Sequence, residues 1–341
     1  MAELSLDIDL PKKVSFRSSS PSYDISRPLF QIETTNLKLK SCGCKGIRSC
    51  SLCKDFETNP PNFKKEKQKV SVYTFCLVCQ RACSTDGDAP FDCQSFSDSA
   101  VSKHVMNVSC LEEVQMDSKK TSAQCSHLCQ NLINFNGVFV IQNFVTEGEE
   151  KALCGAIYCT NFVNSQSGRR KQDFGPKVNF KKKKLKFAAF TGLPSYSQFL
   201  YERMKEHKCL ADFEPVELCN LEYCSERGAH IDPHFDDSWL WGERLITVNL
   251  LSDSTLTFTS DEYPDLEIRV PLPRLSLIVV EGAARHSWKH GISRGDVRER
   301  RVAMTFRELS DEFRQGGQRE SDGEELLKIA LTFKGSAVGG S

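Results

Sequence analysis

The second half of the chain alternates apolar and polar residues over short segments, a pattern typical of half-buried strands. These segments lie at residues 137–142, 217–224, 244–251, 254–259, 267–272, 274–282 and 300–308. They do not alternate regularly with helical segments, as the strands of a parallel βαβ sheet would. The pattern therefore predicts a β-sandwich or barrel.

Helical periodicity is found before most of these strands. Thr146 and Glu149 have the spacing of a capping box and predict a helix that runs to about Ile157. A second helix is predicted from about Ser195, because four apolar residues then share one helical face: Tyr196, Phe199, Leu200 and Met204. The segment 324–333 has an apolar face that fits either a helix or a strand. Helices followed by strands favour an α+β fold with a mainly β core and flanking helices.

Composition divides the chain into segments. The predicted segments are a disordered tail rich in Ser, Lys and Pro (1–40), a Cys-rich segment (41–54), a linker or insertion of uncertain order (55–131), a folded domain (132–335) and a short tail (336–341). One strand-like stretch, residues 70–78, interrupts the linker. The regular patterns are otherwise confined to the predicted domain.

Charge and cysteine usage narrow the class of protein. The 341 residues carry 45 basic and 45 acidic side chains, so no global field favours nucleic acid or an anionic membrane. No apolar run approaches the roughly 20 residues that span a bilayer, and the N-terminus lacks the apolar stretch of a secretion signal. The 16 cysteines are therefore expected to be reduced or metal-bound. These features predict a soluble protein of the cytoplasm and nucleus, with no membrane partner.

An HxD triplet, His234 and Asp236, follows a strand-like segment. In an extended chain, residues two apart point to the same side, so this imidazole and this carboxylate can reach one cation. Two histidines and one carboxylate can bind Fe(II) on one face of an octahedron and leave positions open for oxygen chemistry. His290 is the candidate for the second histidine. The sequence therefore predicts a metal site made by His234, Asp236 and His290.

Other histidines compete for these roles. His230 and Asp232 form a second HxD triplet directly before the first, and His286 lies four residues before His290. An isolated HxD triplet arises often by chance and is weak evidence for a metal site. Context supports the site, because an arginine-rich strand, residues 301–307, begins 11 residues after His290.

Three segments resemble motifs of the AlkB family of Fe(II)- and 2-oxoglutarate-dependent dioxygenases. They are Gly228-Ala-His-Ile-Asp-Pro-His234-Phe-Asp236, Arg285-His-Ser-Trp-Lys-His290-Gly-Ile and Arg301-x-x-x-Thr-Phe-Arg307. Segments 42–53, 165–180 and 237–245 resemble the homologue-four group of that family. The resemblance covers roughly residues 41–54 and 132–335. Alignment to the family favours His234 over His230 and His290 over His286.

The resemblance implies a double-stranded β-helix, or jelly roll, that uses Fe(II) and 2-oxoglutarate. Arg301 and Arg307 would both bind the cosubstrate: Arg301 would grip its distal carboxylate with the guanidinium fork, and Arg307 would lie nearer the metal. Asn220 and Tyr223 resemble the family's other cosubstrate contacts, although their spacing is shifted. Nucleic-acid repair members often have Asn two residues after the first arginine, where this chain has Ala303, so one auxiliary hydrogen bond is missing.

The implied reaction is oxidative demethylation, in which an N-methyl group is hydroxylated and leaves as formaldehyde. Homologue-four members resemble demethylases of monomethyl-lysine in actin, which links them to actomyosin and cell division. Removal of the methyl group from N6-methyladenine in DNA is the alternative. A non-catalytic interaction scaffold that retains the fold is a second alternative. The sequence leaves the oligomeric state open.

A basic segment is expected to cover the substrate opening. Residues 167–186 contain nine basic residues and one acidic residue, and in the family this region forms a lid. The predicted lid residues are Arg169, Arg170, Phe174 and Lys177. Such a lid could contact phosphates and stack a base, or dock on an acidic protein surface. A solvated lysine run is the plainer interpretation of residues 181–184.

The N-terminal cysteines form a C-x-C-x5-C-x2-C cluster of four thiols: Cys42, Cys44, Cys50 and Cys53. Four thiolates within 12 residues can hold a structural Zn(II) ion. Alternative partners for such a site are Cys76, Cys79, Cys83 and His127. Ordinary reduced cysteines in a flexible tail are the other interpretation.

Overall fold

The computed structural model describes residues 70–77, 80–84, 132–133, 135–187 and 189–338. Its strands, numbered in chain order, are β1 (Ser71–Phe75), β2 (Ala82–Ser84), β3 (Leu132–Ile133), β4 (Val138–Ile141), β5 (Val163–Asn164), β6 (Arg170–Phe174), β7 (Lys177–Asn179), β8 (Lys184–Lys186), β9 (Pro215–Tyr223), β10 (Ile231–His234), β11 (Trp241–Leu250), β12 (Ser254–Thr259), β13 (Leu266–Leu272), β14 (Leu277–Val280), β15 (Lys289–Ile292) and β16 (Arg301–Leu309). The helices are α1 (Glu147–Tyr158), α2 (Gln198–Lys205), α3 (Gly282–His286) and α4 (Glu320–Ala330).

Most strands pair into two seven-stranded sheets. The first sheet has the order β10-β15-β12-β13-β1-β2-β3, and the second sheet has the order β4-β14-β11-β16-β9-β6-β5. Neighbouring strands run antiparallel, except that β1 is parallel to β13. β7 and β8 form a separate hairpin. This mainly β architecture with a few helices agrees with the predicted fold class and is consistent with a jelly-roll core.

The second sheet separates two hydrophobic cores. One core lies between the sheets and contains Phe258 of the first sheet together with Leu245 and Ile278 of the second. The other core lies between the second sheet and the helices, where Met304 of β16 packs in one cluster with Leu200 of α2. Alternate residues of β16 therefore face opposite cores, as the period of a strand requires. Only every second residue of β16 can therefore direct its side chain into the space between the sheets.

The two predicted helices are present. Thr146 and Glu149 form the capping box at the start of α1, with each side chain bonded to the other residue's backbone N–H. A 3-10 turn, Ser195–Ser197, leads into α2. Phe199 was expected on its apolar face but is 37% exposed, with the Arg203 guanidinium 5.5 Å over its ring. The C-terminal segment that fitted either element is largely helix α4. No helix in the described ranges is long and apolar enough to cross a membrane.

The sheet extends beyond the predicted domain boundary at residue 132. β1 pairs with β13 over Ser71–Thr74 and also with β2, and both strands come from the predicted linker. Tyr73 and Phe75 are each 1% exposed and belong to the core between the sheets. The boundary is therefore corrected: residues 70–78 were recognised as strand-like, but their pairing with a parallel strand almost 200 residues away leaves no local signal in the sequence. The predicted tail (1–40) and the Cys-rich segment (41–54) lie outside the described residues.

Candidate metal centre

Two neighbouring strands of the first sheet bring the two predicted histidines together. His234 ends β10 and stands opposite His290 of β15 in the strand register. Their ring centroids are 4.6 Å apart. Asp236 follows two residues after His234, and His234 Nε2 lies 3.9 Å from Asp236 Oδ1. One candidate ligand atom from each of the three residues lies within 4.8 Å of the others, so a single cation could contact all three.

A glycine allows the two strands to approach at this point. A Cβ atom at Gly291 would lie 2.8 Å from the carbonyl oxygen of Ile231 and 2.9 Å from the backbone nitrogen of Pro233. Real Cβ atoms do not occur that close to backbone atoms. His290 supplies a candidate ligand, and the glycine beside it is required for packing. With a larger residue at position 291, β10 could not lie against β15.

Hydrogen bonding fixes the orientation of the first imidazole. His234 Nδ1 lies 2.9 Å from the carbonyl oxygen of Asp232. A carbonyl oxygen can only accept, so Nδ1 must carry the proton and donate. In the neutral ring, Nε2 then holds the lone pair that a metal needs, and a partner on the other nitrogen sets the tautomer in this way at many metal sites.

Asp236 is held as a carboxylate. Burial by itself would raise its pKa, but the charges of Arg307 and of the two histidines hold the pKa well below its usual range. The Arg307 guanidinium donates to the Asp236 carboxylate at 3.3–3.4 Å. Arg307 Nη1 also donates to Glu217 Oε2 at 2.6 Å. Arg307 thus bridges two carboxylates beside the triad, and its contact with the cosubstrate stays a prediction.

Arg301 lies six residues before Arg307 on the same face of β16. It is 3% exposed, and its Nε donates to Asn249 Oδ1 at 2.5 Å. Its Cζ lies 4.9 Å from the centroid of the Tyr223 ring, the residue opposite it in the register. Among the described residues, no carboxylate lies within ion-pair distance of Arg301. A buried guanidinium without a counter-charge is costly unless an anion joins it, so its position fits the distal carboxylate of a diacid.

Asn220 is not brought to the site. It stands opposite Met304 in the register and faces the helices, where its Nδ2 donates to Gln172 and to the Tyr196 hydroxyl. Tyr223 is an odd number of residues away on the same strand, so the two side chains point to opposite faces. The prediction that Asn220 contacts the cosubstrate is therefore wrong.

The predicted lid residues separate into different environments. Phe174 is 2% exposed in the helix-side core, so it cannot stack on a substrate base. Arg170 forms an ion pair with Glu222 at 2.6 Å. Arg169 is 4% exposed, with its Cζ 5.9 Å from the Tyr223 ring. Lys177 is the exposed member and begins the β7–β8 hairpin. Of the four predicted lid residues, only Lys177 is therefore exposed, and a lid role for the hairpin stays a prediction.

The competing histidines lie apart from the triad's ligand set. His230 Nδ1 lies 3.0 Å from the carbonyl oxygen of Gly228, and His286 Nε2 lies 2.9 Å from Glu243. Two residues that contribute to the site were missed in the sequence. They are Asn249, which contacts Arg301, and Arg285, which donates to the backbone oxygen of Asp236. Each acts through partners far along the chain, and a single sequence carries no signal for such pairings.

Two facing sheets with two histidines, one carboxylate and a buried arginine between them define the class of this protein, because mononuclear non-haem iron oxygenases hold their metal with that ligand set. No protein-family model matches the chain. Several relatives, however, align with most of the chain. Proteins named alpha-ketoglutarate-dependent dioxygenase alkB homolog 4 are 38% identical in Mus musculus, over 88% of this chain and 97% of the relative, and 38% identical in Homo sapiens, over 88% and 96%.

A third relative, from Caenorhabditis elegans, is named DNA N6-methyl adenine demethylase. It is 36% identical over 85% of this chain and 94% of its own length. The chain therefore belongs to the AlkB family of alpha-ketoglutarate-dependent dioxygenases, where alpha-ketoglutarate is another name for 2-oxoglutarate. The predicted resemblance to the homologue-four group is confirmed.

Proposed function

We propose that this protein is an Fe(II)- and 2-oxoglutarate-dependent oxidative demethylase of N-methyl groups, and that its substrate is monomethyl-lysine in protein, with actin as the specific partner. The observation that carries the proposal is the convergence of His234, Asp236 and His290 around one point. The donor set of two imidazoles and one carboxylate suits Fe(II). Bound iron would supply the oxygen activation, which no protein side chain can provide.

The chain's own residues would hold and orient the reactants. The triad would hold the metal, and Arg307 keeps the Asp236 carboxylate ionised and in place. Arg301 would hold the distal carboxylate of 2-oxoglutarate, so that its keto-acid end is directed along β16 towards the metal. The three side chains of the triad are partly buried between the two sheets.

Two carboxylates beside the triad support a cationic substrate. Glu217 shares Arg307 with Asp236. Asp173 of β6 accepts from the Cys219 thiol at 3.2 Å, and Cys219 lies on the same face of β9 as Glu217. Burial raises the pKa of Glu217, against the effect of Arg307. Each carboxylate already has a cationic partner, Arg307 for Glu217 and Lys171 for Asp173, so the pair would offer a methylammonium hydrogen-bond acceptors rather than net negative charge.

Exposed aromatic and basic groups favour the second candidate, N6-methyladenine in DNA. Phe235, between the two HxD ligands, is 44% exposed, and Phe180 at the tip of the β7–β8 hairpin is 41% exposed. Lysines flank Phe180 along the hairpin. Stacking surfaces beside cations suit a nucleic acid. The name of the worm relative points the same way.

The test measures succinate and formaldehyde produced by the purified full chain with Fe(II), ascorbate and 2-oxoglutarate. A monomethyl-lysine actin peptide and N6-methyladenine DNA are compared at equal concentration. His234→Ala should abolish turnover with either. His230→Ala is the matched control, because it alters the neighbouring HxD triplet and should leave iron binding intact.

The outcomes distinguish lysine demethylation, DNA demethylation and a non-catalytic scaffold. Formaldehyde from the peptide alone supports lysine demethylation, and formaldehyde from DNA alone replaces it with the second candidate. A folded protein that binds no iron and consumes no 2-oxoglutarate would leave the interaction scaffold.

A further inference from the structure

Asn249 of β11 stands directly opposite Ala303 of β16 in the strand register. Ala303 is the position two residues after Arg301, where nucleic-acid repair members of the family often have asparagine. Asn249 is completely buried, and its Oδ1 accepts from Arg301 Nε at 2.5 Å. An asparagine amide therefore lies beside Arg301, but it comes from the neighbouring strand.

The orientation of this amide is fixed by its other atoms. The two hydrogens of Asn249 Nδ2 are directed at three backbone carbonyl oxygens, those of Ser252 (3.0 Å), Leu272 (3.0 Å) and Pro273 (2.9 Å), so one hydrogen is shared between two of them. A flipped amide would direct its oxygen at these three oxygens and its NH2 group at a guanidinium, which has no acceptor. Oδ1 must therefore face Arg301.

The backbone beneath the amide is also held. The Asn249 N–H donates to the carbonyl oxygen of Ser276 at 2.8 Å, and its own carbonyl oxygen accepts from the N–H of Leu275 at 2.8 Å. Because both the side-chain amide and the backbone of Asn249 are held, its Oδ1 restrains the Arg301 guanidinium. Binding of a ligand then costs little further conformational entropy at this arginine.

The contact also decides which edge of Arg301 remains for a ligand. Nε is occupied by Asn249, and the Tyr223 side chain also contacts the guanidinium, so the fork of the two terminal nitrogens is the edge that a carboxylate can approach. We propose that Asn249 is a positioning residue for cosubstrate binding, which orients Arg301 so that this fork meets the distal carboxylate of 2-oxoglutarate. The proposal rests on the proposed function, since it specifies how the diacid is held.

The experiment measures binding rather than turnover. The full chain is loaded with Mn(II), and calorimetric titration gives the dissociation constants of 2-oxoglutarate and of 2-oxopentanoate, a keto acid without the distal carboxylate. Asn249→Ala should weaken 2-oxoglutarate binding about tenfold or more, as expected for a lost hydrogen bond to a charged group. Binding of the monoacid should be unchanged, because it does not use Arg301.

Asn220→Ala is the matched control. Asn220 is equally buried in the same sheet but faces the helices. Its loss should lower stability without changing the affinity for 2-oxoglutarate relative to that for 2-oxopentanoate. Asn249→Ala/Ala303→Asn should recover much of the affinity, because residue 303 lies opposite and can offer Arg301 a new acceptor. If the alanine variant does not fold, Asn249→Ser replaces it. This variant too should weaken binding of 2-oxoglutarate and leave binding of 2-oxopentanoate unchanged.

Two results would overturn the inference while leaving the proposed function intact. One is wild-type affinity for 2-oxoglutarate in folded Asn249→Ala. The other is an equal loss for both ligands. An additional loss on combining Asn249→Ala with Arg301→Met would also contradict it, since the asparagine should matter only through that arginine. A wild-type protein that binds no 2-oxoglutarate would instead refute the proposed function.

Discussion

Arg285 lies behind the metal centre and holds the segment that carries Asp236. The side chain is 1% exposed, and it donates to the backbone oxygens of Asp236 (3.0 Å) and Asp237 (3.1 Å). It also reaches the carbonyl oxygens of Trp241 and Gly242, each at 3.3 Å. Burial lowers the pKa of this guanidinium, and the nearby Asp236 charge opposes the shift. Arg285 thus ties a ligand-bearing loop to the start of β11.

Arg285→Met is expected to weaken metal binding. The change leaves four carbonyl oxygens without their donor, so the loop should loosen and Asp236 should lose its fixed position. Supporting contacts of metal ligands typically contribute 10–100-fold to affinity, and we expect a loss of about tenfold in a Co(II) titration. The free energy of unfolding should fall by about 2–4 kcal/mol.

The matched control for this prediction is Arg244→Met. Arg244 is a buried arginine as well, bound to Glu308 and Asp212 on the opposite face of β11. Its loss should destabilise the fold and leave Co(II) affinity unchanged. Equal metal affinities in folded Arg285→Met and in the wild type would show that Arg285 does not position Asp236.

Residue spacing predicted the triad but could not predict its supports. His234 and Asp236 share a face because they are two apart in an extended segment, which is a local property. Asn220 was misplaced because one residue of register moves a side chain to the other face. Arg285 contacts mainly backbone oxygens, which any sequence supplies, so its role depends on the folded loop and not on partner identity.

The β7–β8 hairpin is the element that carries the basic segment. Its tip is a 3-10 turn, Phe180–Lys182, which ends at Lys183 in the left-handed conformation (φ 47°). The Phe180 ring lies 6.3 Å from the Trp241 ring, edge to face, and Lys183 Nζ lies 6.0 Å from the Trp239 ring. The Arg307 guanidinium in turn lies 5.8 Å from Trp241. Aromatic contacts therefore link the lysine-rich tip to the residues around the triad.

Reversal of charge on the hairpin should weaken substrate capture without disturbing the metal site. Lys181→Glu/Lys184→Glu changes two exposed side chains, so kcat/KM should fall about tenfold at low salt, and the difference should shrink as salt screens the charges. Turnover of 2-oxoglutarate without substrate should be unchanged. Both values come from succinate formation measured across a range of ionic strength.

Lys151→Glu/Lys334→Glu makes the same charge change at exposed positions away from the hairpin. If this pair lowers kcat/KM as much as the hairpin pair, the effect is one of net charge alone. If neither pair has an effect, the hairpin is a solvated lysine run with no part in substrate capture.

At the scale of the whole molecule, the site needs both sheets. His234 and His290 belong to the first sheet, whereas Arg301 and Arg307 belong to the second. The space between the sheets is therefore both a hydrophobic core and the place where reactants would bind. A loss of packing anywhere in that core can shift the two sets of side chains relative to each other, since packed interiors transmit strain.

The strands of the second half were predicted because their alternation is local. The parallel contribution of β1 was not, because it depends on a distant partner.

Phe75→Ala tests whether β1 is part of this core. Phe75 is 1% exposed between the sheets, and truncation of a buried Phe destabilises proteins by about 3–5 kcal/mol through lost burial and a residual cavity. Val70, just before the strand, is 42% exposed, so Val70→Ala should change the free energy of unfolding by less than about 0.5 kcal/mol. Guanidinium denaturation followed by tryptophan fluorescence measures both, because Trp288 packs in the same core. A Phe75→Ala midpoint equal to that of Val70→Ala would mean that β1 does not support the sheet, and a domain beginning at residue 132 would then be complete without it. The expected large difference would instead make residues 71–75 an indispensable part of the catalytic fold.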